Sequence, residues 1–140
     1  MSEIKVAVKG VLIKNQKMLI VKRSKNDETG AGTWESVGGI LQFGESFEDA
    51  LKREFLEEVG LSVQIQELLF STTFLTNPTR QIVLLTFLCT SEEVNINLSN
   101  EHDQYLWANI EELLQLLPRA IINDYEMHGI FELIGDVLTK

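Results

Sequence analysis

The sequence predicts a mixed α/β fold, and three observations carry that prediction. Residues 4–9 alternate apolar and polar positions and lead into the apolar stretches 11–13 and 18–21, residues 61–75 and 81–91 are rich in Val, Ile, Leu, Phe and Thr, and residues 47–59, 110–117 and 124–138 repeat apolar side chains at helical spacing. Strand-type and helix-type segments alternate along the 140 residues with no internal repeat, low-complexity tract or linker, so one domain over 1–140 is expected. With 44% hydrophobic and 24% charged residues, the chain has the apolar surface to bury a core.

Each element follows from local chemistry. Ile4-Lys5-Val6-Ala7-Val8-Lys9 alternates and Val11-Leu12-Ile13 continues it; Asn15-Gln16-Lys17 then reads as a tight turn into a second strand, Met18 to Arg23. Ser24 to Thr33 is polar, contains Gly30 and Gly32, and reads as a mobile surface loop before Trp34. Ser46 with Asp49 three positions on is a capping-box-like start, Glu48 and Asp49 suit the positive end of a helix dipole, and Gly60 suits the exit, which predicts a helix over Phe47–Val59. Residues 61–75 and 81–91 are expected to form a long antiparallel pair around Thr76-Asn77-Pro78-Thr79-Arg80. A helix over 110–117 stops at Pro118, and the apolar repeat Met127, Ile130, Phe131, Ile134, Leu138 predicts a second C-terminal helix over 124–138.

Twelve Lys and Arg against twenty-one Asp and Glu leave a net charge of −9, which repels a nucleic-acid backbone or an anionic membrane. Neither a nucleic-acid polymer nor a membrane is an expected partner, and a phosphate-bearing ligand has to bring or find a cation. Cys89 ends the apolar run that begins at Ile82, which points to a buried, reduced thiol. Glu3 stands where a signal peptide would be basic, and no run approaches the ~20 apolar residues of a membrane span, so a soluble cytoplasmic protein is expected.

The chemistry concentrates on the 47–59 helix. Glu54, Glu57 and Glu58 fall at i, i+3 and i+4, and at ~100° per residue they cluster on one face. Leu51, Phe55 and Val59 occupy the neighbouring face, so Glu54 and Glu58 stand at the core boundary. Glutamate clusters on helices are most often solvated acidic faces, but carboxylates at this spacing repel by a few tenths of a kcal/mol per pair, a penalty that a divalent cation reverses. Grouped hard oxygen donors suit Mg²⁺ or Mn²⁺. Upstream, Gly38-Gly39 permits close backbone approach, and a carbonyl there is a candidate further ligand.

Gly39-x5-Glu45-x7-Arg53-Glu54-Phe55-Leu56-Glu57-Glu58-Val59-Gly60-Leu61 resembles the signature of the Nudix hydrolases position for position over residues 39–61. Trp34-Glu35-Ser36-Val37-Gly38-Gly39 resembles the family's lead-in, with Val37 where proline is common, and Phe55 is bulkier than the usual aliphatic residue. Glu101-His102 and Trp107-Ala108-Asn109-Ile110-Glu111-Glu112-Leu113 look like the family's acidic loop, Trp strand and following helix. The resemblance implies a Nudix-like α/β/α sandwich with a catalytic loop-helix-loop and Mg²⁺-dependent hydrolysis of a nucleoside diphosphate linked to another group. By the same resemblance Glu54, Glu57 and Glu58 hold Mg²⁺ (Mn²⁺ as the other candidate) with the Gly38 carbonyl, Glu45 and Arg53 brace loop against helix, and the general base is Glu54 or Glu101. His102 is expected at the surface, since Mg²⁺ prefers oxygen.

A nucleobase needs an aromatic or apolar slot, for which Trp34, Phe70, Phe74 and Phe87 are available; Phe74 and Trp34 are the candidate substrate contacts. Pro78 is near, but not at, the spacing associated with ADP-ribose hydrolases, and no tyrosine stands where dinucleoside polyphosphate hydrolases tend to have one. The compact chain resembles the members that cleave nucleoside triphosphates. The expected reaction is therefore a nucleoside triphosphate, or a modified one, to monophosphate and pyrophosphate, in a monomer or homodimer. Hydrolysis of ADP-ribose or another nucleotide sugar is the alternative within the family. A non-catalytic Nudix-fold nucleotide-binding module and a structural metal-binding domain are the alternatives outside enzymology, the former disfavoured because every motif glutamate is present.

Overall fold

The computed structural model describes residues 1–25 and 30–135. Strands β1 (Glu3–Lys14) and β2 (Lys17–Arg23) form the expected hairpin. Its turn is only Asn15-Gln16, both at positive φ (53° and 65°), so Lys17 pairs with Lys14 and belongs to the strand. Two left-handed residues match the right-handed twist of the flanking strands, which makes the two-residue loop sufficient. The loop read over residues 24–33 falls partly outside the described residues, at 26–29. After it come two short strands, β3 (Trp34–Glu35) on β2 and β4 (Val37–Ile40) on β1.

Helix α1 runs Phe47–Val59, with the Ser46 side chain accepting from the Asp49 amide and Gly60 closing the helix in the left-handed region at φ 72°. Leu61 and Val63 are buried but precede the next strand, so β5 spans Gln64–Asn77, later than its apolar composition suggested. It pairs antiparallel with β6 (Arg80–Thr90). β6 also runs parallel to β1 from Glu3↔Arg80 to Leu12↔Cys89, and β7 (His102–Ala108) joins β2. The sheet order is β3-β2-β1-β6-β5, with β4 added to β1 and β7 to β2.

The C-terminal region departs from expectation. Helix α2 (Ile110–Leu116) is capped by an Asn109–Glu112 capping box, but Pro118 both ends this stretch and opens a helix that the apolar repeat did not reveal, α3 (Arg119–Met127). Proline suits a helix start because its missing N–H has no partner there. Gly129 at φ 73° then separates α3 from α4 (Ile130–Gly135), so the single helix read over 124–138 is two; residues 136–138 lie outside the described residues.

The sheet is covered on both faces, giving α/β/α layering. Along β2, Leu19 and Val21 pack with Leu51, Phe55 and Val59 of α1, whereas Met18 and Ile20 pack with Leu113, Ile122 and Ile134 of the C-terminal helices. That is why β2 reads as an almost continuous apolar run. Leu51, Phe55 and Val59 are fully buried, each worth about 1.5–3 kcal/mol of apolar transfer. The bulky Phe55 fits because its ring lies over Gly10, where a Cβ would stand 2.5 Å from it. Cys89 is buried beside it, and burial pushes its thiol up to about 12, which leaves it protonated and inert. Among the described residues no helix is long and apolar enough to cross a membrane.

Candidate active site

The buried stripe of α1 contains two carboxylates. Ala50, Glu54 and Glu58 form the row beside Leu51, Phe55 and Val59, so the helix that packs on the sheet carries Glu54 and Glu58 inward to 9% and 5% exposure, while Glu57 stays at the rim. All three line one cleft of about 580 Å³, together with Arg53, Glu101 and Gly38-Gly39. The two glycines are present for space. A Cβ on Gly39 would overlap the Glu54 carboxylate, and one on Gly38 would overlap the Val8 carbonyl across the β1–β4 pairing.

Arg53 ties loop to helix. Its Nε donates to Glu45 at 2.7 Å and Nη2 to the other Glu45 oxygen at 3.0 Å, while Nη1 reaches Glu54 at 2.9 Å and Glu57 at 3.4 Å. Glu45 also accepts from the Gln42 amide at 2.8 Å, closing the 42–45 turn. The hydrogen bond with Arg53, aided by the Gln42 amide, holds the Glu45 carboxyl below its ordinary range, and the bond to Glu45 raises the Arg53 guanidinium correspondingly. Glu101 reaches the cleft because its chain segment is fastened at three points: Asn97 N–H donates to the Val59 carbonyl, Ser99 N–H to the Glu58 carbonyl, and Ser24 N–H to the Glu101 carbonyl.

Glu58 is the most strained of the carboxylates electrostatically. Burial, then its hydrogen bond with Glu54, raises its carboxyl well above the usual range. Its Oε1 is buried with no hydrogen-bond partner. A divalent cation fits such a donor set, since it would give the orphaned oxygen a partner and offset the repulsion between the two carboxylates. Among the described residues no three His, Cys, Asp or Glu side chains are gathered so as to hold a metal ion by themselves. Mg²⁺ does not require such a group, because it keeps several waters and takes the remaining oxygens from phosphates.

Beside the acidic cleft lies a larger, mainly apolar one of about 810 Å³, bordered by Trp34, Phe74, Ile82, Leu84 and Ile121. Phe70 is its fixed floor: buried, stacked on His128 at 4.6 Å and edge-on to Tyr125 at 6.2 Å. Phe74 is 44% exposed and, like half-buried Trp34, faces the opening. Phe87 does not belong to this slot. Strand alternation turns it to the opposite face, where its ring meets Phe47 at 6.1 Å, and it is Thr86 that borders the cleft.

The two clefts meet at a charged hub that the sequence reading passed over. Glu35 binds Lys9 at 3.3 Å, Arg23 at 3.2 Å and the ring of His102 at 3.0 Å. His102 is therefore buried at the start of β7, not a surface residue. The cue available in the sequence is Lys9, a cation between the apolar stretches Val6-Ala7-Val8 and Val11-Leu12-Ile13 that needs a buried anion. Burial would raise the Glu35 carboxyl, but the His102 hydrogen bond and the charges of Lys9 and Arg23 outweigh it and bring it to about 2. A depressed folded-state pKa contributes stability that is present above the ordinary 4.5 and lost as pH falls through about 2. Glu35→Gln should accordingly melt below the wild type at neutral pH, with the gap narrowing below pH 4.5 and closing near pH 2; a gap independent of pH in thermal melts would contradict this.

Comparison with known proteins identifies the family. The NUDIX domain model matches residues 3–128. The chain belongs to the Nudix family. It is 34% identical over 116 residues to a MutT-like protein of Streptomyces ambofaciens, covering 82% of this chain and 70% of that one. It is 28% identical over 106 residues to the nucleoside triphosphatase NudI of Escherichia coli, covering 69% and 75%. A MutT protein from Methanosarcina mazei Go1 shares the fold with a TM-score of 0.82 at 24% identity, over 91% of this chain and 94% of that one. As a Nudix hydrolase the chain is a pyrophosphohydrolase.

Proposed function

We propose that this Nudix pyrophosphohydrolase cleaves a nucleoside triphosphate, or a base-modified one, to the monophosphate and pyrophosphate, with Mg²⁺ as cofactor. The observation that carries the reading is the junction at Gly38-Gly39, where an apolar, aromatic-edged cleft opens onto a carboxylate cleft. A nucleoside suits the first and a metal-bound phosphate chain the second. The similarity to a nucleoside triphosphatase over 69% of the chain supports the same substrate class.

In this reading Glu54, Glu57 and Glu58 hold the cation, with the Gly38 carbonyl as a further donor. Bound there, Mg²⁺ supplies neutralisation of the bridge oxygens and a lowered pKa for the attacking water. Arg53 and Glu45 keep the loop at a constant distance from α1, so that the carboxylates present one geometry. Trp34 and Phe74 stack on the base, and Lys9 and Arg23 offset phosphate charge where the clefts meet. The water's proton goes to Glu101, since Glu54 is already engaged by Arg53 and Glu58 whereas Glu101 stands exposed at the mouth.

Two measurements test this. Glu101→Gln should lower kcat by about 10²–10⁴ while changing KM little; kinetics equal to wild type would return the base to Glu54. In a nucleotide panel with Mg²⁺, scored by pyrophosphate or phosphate release, a nucleoside triphosphate should exceed ADP-ribose and dinucleoside polyphosphates in kcat/KM. A tenfold advantage for ADP-ribose, about 1.4 kcal/mol in transition-state binding, would overturn the substrate assignment.

A further inference from the structure

His102 has a place in the site that its hydrogen bond with Glu35 does not account for. Its side chain is 3% exposed, and Nε2 lies 3.0 Å from Glu35 Oε2. Glu35 is ionised and accepts from Nε2, and with a hydrogen on Nδ1 as well the ring presents a donor to Glu58. The other ring nitrogen, Nδ1, is buried without a hydrogen-bond partner, and 4.0 Å away stands the other partnerless buried atom of this cleft, Oε1 of Glu58. Each such orphan costs about 1–3 kcal/mol, so both persist against a gradient that favours pairing. They are about 1 Å beyond hydrogen-bond distance. Three elements meet here: Glu35 on β3, His102 on β7 and Glu58 on α1.

The arrangement parallels what Glu45 and Arg53 do for Glu54. There a carboxylate on the loop before α1 holds a cationic side chain that bonds Glu54 at 2.9 Å. Here a carboxylate in the lead-in strand holds an imidazole directed at Glu58. We propose that His102, anchored by Glu35, is a positioning residue that sets the orientation of the Glu58 carboxylate toward a divalent cation. His102 itself is no ligand in this arrangement. The inference rests on reading Glu58 as a cation ligand.

Two amides separate this role from simple core filling. In His102→Asn the side-chain nitrogen falls near the position of Nδ1, on the Glu58 side; in His102→Gln it falls near Nε2, on the Glu35 side. Mn²⁺ alone is titrated into the metal-free full chain, free ion is followed by electron paramagnetic resonance, and each variant's thermal unfolding is recorded. His102→Ala should bind Mn²⁺ about 10–100-fold more weakly than wild type. His102→Asn should regain most of that loss and His102→Gln little of it, whatever the order of their melting temperatures. Turnover of the weakened variants should recover as Mn²⁺ is raised to saturation, with kcat nearly restored.

Wild-type affinity in His102→Ala, or recovery in the glutamine variant and not the asparagine one, would overturn the positioning role while leaving Glu58 a ligand. Absence of Mn²⁺ binding by the wild type would overturn both. Should His102→Ala fail to fold, the two amide variants still decide the matter.

Discussion

Glu58→Gln is expected to lower kcat/KM by about a thousandfold, on the order of 4 kcal/mol of transition-state stabilisation, which is the scale of a metal ligand's contribution. The amide keeps the shape of the side chain and still donates to Glu54, but it removes one charge from the cation site. Its effect on stability has the opposite sign. A buried carboxyl whose pKa is raised contributes stability that is fully present below the ordinary carboxylate value and is lost as pH rises toward the folded-state value. Glutamine cannot ionise and escapes that loss. Without metal, the variant should therefore melt at or above the wild-type temperature, and the advantage should grow from pH 5 to pH 8. Glu57→Gln should lose activity similarly, yet leave stability nearly unchanged, because that side chain is 60% exposed and meets Arg53 only at 3.4 Å. Full turnover by either variant in the presence of EDTA would sink the metal mechanism.

Gly38→Ala and Gly39→Ala should fail in different ways, although the residues are adjacent. The methyl at position 38 would meet the Val8 carbonyl, and Lys9 Cα at 2.8 Å, within a paired backbone that has nowhere to move. A loss of about 3 kcal/mol or more is expected, at the upper end for overpacking, because the strain is resolved only by breaking the β1–β4 pairing. At position 39 the methyl would meet the Glu54 carboxylate, its Cδ at 2.5 Å, and a side-chain end can swing aside. Stability should then change by only about 1 kcal/mol, since overpacking relieved by a flexible group sits at the low end of the range. Activity should instead fall as though Glu54 had been removed. Thermal melts and kcat/KM on the two variants separate the cases, and wild-type turnover in Gly39→Ala would contradict the placement of Glu54 in the reaction.

Much of this molecule is determined by local sequence. Helix α1 begins and ends where Ser46 and Gly60 put its boundaries, since a side-chain cap and a left-handed glycine act within one turn of the residues that supply them. The i, i+4 spacing alone places Glu54 and Glu58 in one row beside Leu51, Phe55 and Val59. The long β5–β6 pair and the β1–β2 hairpin follow from alternation and turn chemistry. Other features required the tertiary structure because they depend on residues far apart in the chain. Nothing near Pro118 in sequence shows that the residues after it border a cleft, as Ile121, Asp124 and Tyr125 of α3 do. Period-2 alternation determines that Phe87 and Thr86 face opposite ways, but only the packing of α1 decides which face is the inside of the slot. The Lys9–Glu35–Arg23–His102 hub joins four strands, and a buried charge is tolerated only once all its partners are assembled. Local forces act over a few residues and can be read in order along the chain, whereas the compensation of buried charge is a property of the folded volume, so the carboxylates of α1 were legible in the sequence and the groups that orient them were not.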